Sequence, residues 1–211
     1  MKAMKNLFLL LCFVLITQLS FSQEDVTSDD NQKGEWIGGF HFGFATLTAE
    51  DVFKGNANIQ GATIAKEFIL NNKSSIIAGI ETYRATADFT DALGEQLFLT
   101  NQYIAVPVSY RMVYNRSAKI SPYIDLGIYG SYLLKSELEN EALNTDDDEK
   151  GLGFNFGIQA NFGARFTVAE DFSIFLGLHS RTDLIDSYKS SRQEFELTEM
   201  YLFKFGFGFK F

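Results

Sequence analysis

Cysteine is all but missing: the 211 residues hold one, Cys12, and histidine appears only twice. That excludes a disulfide framework and a multi-ligand zinc centre, so no metal and no cofactor is expected. Proline is nearly as scarce, with 2 residues, against 22 Phe, which fits neither a disordered nor a collagen-like chain. Basic residues are outnumbered 18 to 27, a net charge of -9. No basic face is therefore on offer to a phosphate backbone, and nucleic acid is excluded as a partner. The longest apolar run is residues 7–16, too short to cross a bilayer as a helix, which takes about 20 residues. The length suits one domain, or at most two small ones.

What is present begins with a leader. Lys2 and Lys5 precede the apolar run, and Ser20-Phe21-Ser22 precede Gln23. A basic start, an apolar centre and small residues before a cut predict a secretory signal peptide over residues 1–22. Cys12 lies inside the run behind leucines and reads as an ordinary apolar residue. Its removal with the leader leaves no cysteine, and loss of Lys2 and Lys5 takes the balance from -9 to -11. Residues 23–34, with Glu24, Asp25, Asp29 and Asp30, read as a disordered acidic periplasmic tail.

From there on the hydrophobicity alternates with period two, the mark of strands with one apolar face. Over 152–166, Leu152, Phe154, Phe156, Ile158, Ala160, Phe162, Ala164 and Phe166 interleave with Gly153, Asn155, Gly157, Gln159, Asn161, Gly163 and Arg165. Near the start Trp36, Gly38, Phe40, Phe42 and Phe44 alternate with Ile37, Gly39, His41 and Gly43. The second face is too small and glycine-rich for a water-facing surface. Glycine weakens a strand unless something must come close, and a packed lumen supplies that reason. The expected fold is all-β: an eight-stranded antiparallel transmembrane β-barrel over 35–211, with Phe and Leu facing lipid.

Candidate strands are 35–45, 58–70, 75–86, 100–113, 119–134, 152–166, 172–183 and 197–211. Short gaps (71–74, 114–118, 167–171) alternate with long ones (46–57, 87–99, 135–151, 184–196). That asymmetry predicts short periplasmic turns, long external loops and both termini in the periplasm. Unpaired backbone groups are costly in hydrocarbon, so the last strand must pair with the first. Trp36, Tyr110, Tyr114, Phe166 and Phe172 are placed for an interfacial aromatic girdle. Pro107 deletes a ladder hydrogen bond in mid-strand, and a bulge or a water-satisfied carbonyl is expected there.

Tyr103-Ile-Ala-Val-Pro107 is followed by Ser121-Pro122-Tyr123 running into Asp125-Leu126-Gly127. These stretches, with the phenylalanine-ending last strand, resemble the PorT-type outer-membrane β-barrel family of Bacteroidetes. The resemblance implies that fold and the outer membrane of a Gram-negative bacterium, whereas the family's namesake takes part in protein secretion. Tyr201, Phe203, Phe205, Phe207, Phe209 and Phe211 similarly resemble the C-terminal signal read by barrel-assembly machinery. The partners implied are that machinery, outer-membrane lipid and other envelope proteins.

By parity the lumen receives His41, Glu81, Tyr83, Arg111, Asp125, Gln159, Arg165, His179, Arg181 and Lys204. Eight strands leave a space that side chains can just fill, and opposite charges there should pair. The expected role is a structural or interaction barrel, and not an enzyme. A narrow channel is one alternative. A lipid- or peptide-modifying enzyme, using His179 and Asp183 on one face, is the other. The acidic run Glu137, Glu139, Glu141, Asp146, Asp147, Asp148 and Glu149 reads as a solvated loop.

Overall fold

The computed structural model describes residues 34–49, 53–90, 96–140, 145–186 and 195–210. The segments expected as a leader (1–22) and, up to Lys33, as an acidic tail (23–34), together with Phe211, lie outside them. Eight strands run in chain order: β1 (Trp36–Ala49), β2 (Phe53–Asn71), β3 (Ser74–Thr90), β4 (Gln96–Val113), β5 (Ile120–Asn140), β6 (Thr145–Thr167), β7 (Phe172–Asp186) and β8 (Phe195–Phe209). Each pairs antiparallel with its neighbour, and β8 pairs with β1 to close the barrel. Closure gives every strand two neighbours, so no open sheet edge faces hydrocarbon; beyond Arg181↔Met200 the described β7–β8 ladder stops.

Strand tilt follows from the register. The row Phe68, Ile76, Tyr110, Leu126, Ala160, Ser180, Tyr201, Phe44 returns to β2 at Asn58, ten residues from its start. A stagger of this size tilts the strands to roughly 35–45° from the axis. A horizontal slice through the barrel therefore cuts successive strands at different distances from their ends.

The segments expected as long external loops are mostly strand. The described strands run up to residues 50–52 between β1 and β2, and up to 91–95, 141–144 and 187–194 between the later pairs. Thus Glu137 and Glu139, expected in a loop, belong to β5 and face Asp148 and Asp146 of β6 in register. At the opposite end the turns are Asn72-Lys73, 114–119 and 168–171, beside both ends of the barrel chain. We call that the turn end and the other the rim.

Outside, the apolar belt starts at the turn end. On β1 it comprises Trp36, Phe40, Phe42 and Phe44, on β8 Phe209, Phe205, Phe203 and Tyr201, all exposed. Trp36 and Tyr114 stand at its lower edge, and the Lys66 ammonium lies 5.3 Å over the Trp36 ring while donating to the Gly34 carbonyl at 2.9 Å. The belt takes about the 9–11 residues of each strand needed to span the hydrocarbon. Above it the strands continue, and the polarity of their two faces is exchanged. Outward positions become Thr46 and Thr48, Asn58 and Asn56, Arg84 and Thr86, Gln102 and Thr100. Inward positions become Ala45, Leu47, Ala57, Ile59, Ala85, Ala87, Leu99 and Leu197, a single apolar cluster. Along β1–β4 the rim half is built like a water-soluble barrel, apolar within and polar without; the turn half is its inverse.

Bulges re-aim side chains between the halves. Phe44 faces Tyr201 but Thr46 faces Thr198, so Ala45 opposes two residues, and Glu199 takes φ 50°. Leu197 and Met200 both point inward as a result, each fully buried. Pro107, by contrast, carries no bulge: it stays in register with Tyr129. The strain is taken on its other side, where the β3–β4 ladder is interrupted between Ala78↔Val108 and Glu81↔Ala105 without a register change. The missing proline N–H accounts for that gap.

Candidate functional site

The alternation that presents Phe and Leu to lipid delivers the polar residues to the lumen. His41, Glu81, Tyr83, Arg111, Asp125, Gln159, Arg165, His179 and Arg181 are all buried. Lys204 is half-buried against a central cavity. They assemble in layers along the axis. Glycine makes room for them: a Cβ at Gly61 would lie 2.3 Å from His41 Nε2, and one at Gly163 2.6 Å from the Tyr123 hydroxyl oxygen.

In the upper of two central layers, Arg181 donates to both Glu81 oxygens at 2.6 and 2.9 Å and to Gln159 Oε1 at 3.1 Å. Its guanidinium lies 4.6 Å from the Tyr129 ring centroid and 5.6 Å from that of Tyr83, which stacks on Tyr103 at 4.7 Å. His41 Nε2 approaches Glu81 at 3.5 Å. In the lower layer Arg111 donates twice to Asp125, at 2.7 and 2.9 Å, and covers the Tyr123 ring at 3.9 Å. Asn161 completes Asp125 at 2.9 Å, and Gln159 donates to Ser109 at 2.7 Å, linking the layers. Forked guanidinium–carboxylate pairs flanked by aromatic faces are a geometry that offsets the cost of burying both charges.

Three further carboxylates close the ends of the network: Glu67 and Glu35, which the sequence did not single out, and Asp183, named there beside His179. At the turn end Glu67 accepts from Ser75 at 2.6 Å and from Arg116 at 2.8 Å. Arg116 sits in the turn 114–119 and reaches back under the barrel; a turn position carries no face parity, so the alternation gave no signal for it. Glu35 receives Ser173 at 3.3 Å, with Arg165 and Lys210 at 3.5 and 3.8 Å. Toward the rim, Asp183 accepts from Tyr129 at 2.5 Å and from Asn155 at 3.1 Å. Replacing Tyr129 by Phe is expected to cost about 1–3 kcal/mol, the loss of a buried hydrogen bond to a carboxyl group. A urea titration of the refolded barrel measures it.

Asp183 therefore does not serve His179. Four residues along a strand span about 13 Å, and neither His179 ring nitrogen has a hydrogen-bond partner. The pair that would have activated water is not assembled. Among the described residues the central cavity measures only about 50 Å³, on the order of a few waters. Above it the apolar cluster, with Leu197 and Met200 at 0 % exposure, fills the barrel.

A closed barrel with a lipid-facing belt and a polar interior defines an outer-membrane β-barrel protein. The chain belongs to the outer membrane protein beta-barrel domain family, whose model matches residues 14–189. Among solved structures it is similar to the outer membrane protein OprG from Pseudomonas aeruginosa, at 14% identity and TM-score 0.56, over 85% of this chain and 97% of that one. Neisserial surface protein A is similar at 10% identity and TM-score 0.53, over 84% and 97%. No curated protein matches the chain in sequence. At such identities the likeness shows the fold alone.

Proposed function

We propose that this protein is a non-conducting outer-membrane barrel whose rim wall meets partners at the cell surface. One observation carries the reading: among the described residues the lumen is packed, by ion pairs in the turn half and by a largely apolar cluster toward the rim. A tube so packed has its free surface on the outside, and polar elements on a rigid scaffold are where binding commonly resides. With the turn end in the periplasm, the wall formed by Thr46, Asn58, Thr86 and Thr100 stands clear of the bilayer. The Tyr103–Pro107 and Pro122–Gly127 stretches support a PorT-type member, and with it a role near secretion. A signal peptide over 1–22 would supply the route to the envelope.

Photo-crosslinking residues placed at Asn58, Thr86 and Thr100 in intact cells are expected to give discrete adducts, while Phe203, in the belt, gives none with protein. Background labelling at all three wall positions would refute the proposal. Planar-bilayer recordings of the folded protein are expected to show no conductance steps; resolved steps would restore the channel.

A further inference from the structure

At the upper edge of the belt, across β1–β5, lies a depression of about 690 Å³ on the outer wall. Its lower lip is apolar, from Phe40, Phe42 and Ala62, its upper side carries Gln60, Thr82, Arg84 and Gln102, and Leu134 of β5 closes its far end. The register sets this arrangement: Phe42 faces Gln60, Gln60 faces Arg84 and Arg84 faces Gln102 across three successive ladders. Strand tilt carries that row from the belt into the polar wall. Arg84 is therefore the first charge met on leaving hydrocarbon along β3, four residues above the exposed Ile80.

We propose that this depression binds the phosphorylated headgroup of an outer-leaflet lipid, with Arg84 as the anion contact. Three features carry the assignment. Among the described residues Arg84 has no ion pair or hydrogen-bonded partner, although the chain as a whole is acidic at -9. The side chains around it, two amides and a hydroxyl, can all donate, and no carboxylate lines the depression. The lip below is aromatic and lies where acyl chains run, so one ligand meets both surfaces: an anion on an apolar tail. A guanidinium fork matches phosphate oxygens in geometry as well as charge. A soluble phosphorylated molecule would gain nothing from Phe40 and Phe42, and this is what singles out the lipid.

The test uses the full barrel in detergent and native mass spectrometry, with bis-phosphorylated lipid A and the same lipid enzymatically dephosphorylated. The phosphorylated form is expected to be retained about tenfold more, the size of one charge-assisted contact. Arg84→Gln should bring retention down to the dephosphorylated level, and Arg84→Lys should keep part of it. Heat-shifted gel mobility confirms folding of each variant. If Arg84→Gln does not fold, the pair Gln60→Ala and Gln102→Ala is expected to reduce the preference instead. Equal retention of the two lipids overturns the proposal, as does an Arg84→Gln variant, or failing its folding that double variant, with undiminished preference. Saturable binding of inorganic phosphate with no lipid preference overturns it too, since the site would then be one for free phosphate.

Discussion

Glu81→Leu is expected to lower the unfolding free energy of the barrel by about 3–5 kcal/mol, the cost of leaving one member of a buried ion pair unmatched. The stranded charge is Arg181, which is buried and directs two of its nitrogens at Glu81. Gln159 offers it one neutral acceptor at 3.1 Å, which does not replace a carboxylate. The chain's one tryptophan, Trp36, faces lipid at the turn end, so its emission reports unfolding by urea from lipid vesicles. Adding Arg181→Met to Glu81→Leu removes the orphan and should restore most of the loss, because a buried pair and an apolar replacement of similar volume are commonly near parity. A single variant costing under about 1 kcal/mol would mean that water reaches the pair.

The second large effect separates the two halves of the barrel. Leu178→Arg puts a cation on the belt near mid-height, where the cost is about 2–4 kcal/mol. Thr86→Arg makes the same outward change on the rim wall and is expected to stay within about 0.5 kcal/mol, as at any wet surface. Ala85→Asp, one residue along the same strand, points into the apolar cluster with Ala87 and Leu99. It should cost several kcal/mol, since a lone carboxylate there has neither water nor a partner. The three variants, titrated together in vesicles, trace the boundary at which the faces exchange polarity. A Thr86→Arg penalty as large as that of Leu178→Arg would place the wall inside the bilayer and end the two-zone description.

The turn half was legible from the chain alone, the rim half only in part. Along 153–166 and 36–44 every second residue is apolar, and the structure puts that set outside, because a lipid-facing strand needs one uninterrupted apolar face. The same rule hid the outer ends of the strands. Around 55–59 the inward residues are Gly55, Ala57 and Ile59 and the outward ones Asn56 and Asn58, so a reader following the lipid-facing set sees it stop and infers a loop. Bulges compound the difficulty: Leu197 and Met200 are an odd number of residues apart and both point inward. Contacts across the lumen were less accessible still. Ten inward polar residues could be named by parity, but not that Arg181 would choose Glu81, 100 residues away, nor that Arg116 would rise from a turn to reach Glu67.

The seam between β1 and β8 has a bearing on biogenesis. It joins strands from opposite ends of the barrel chain, with Trp36 beside Phe209. Its inward side is thinly furnished: Gly39 faces Gly206 and Ile37 faces Gly208, and a Cβ at Gly43 would come within 2.0 Å of the Tyr201 carbonyl oxygen. The outward side zips aromatic to aromatic, with Phe42 and Phe203 5.8 Å apart. A curved sheet of all eight strands can therefore form first and swing shut with little to displace along that line. A nascent chain halted before Phe195 has no such option, and must present bare edges of β1 and β7 to the bilayer or to a chaperone.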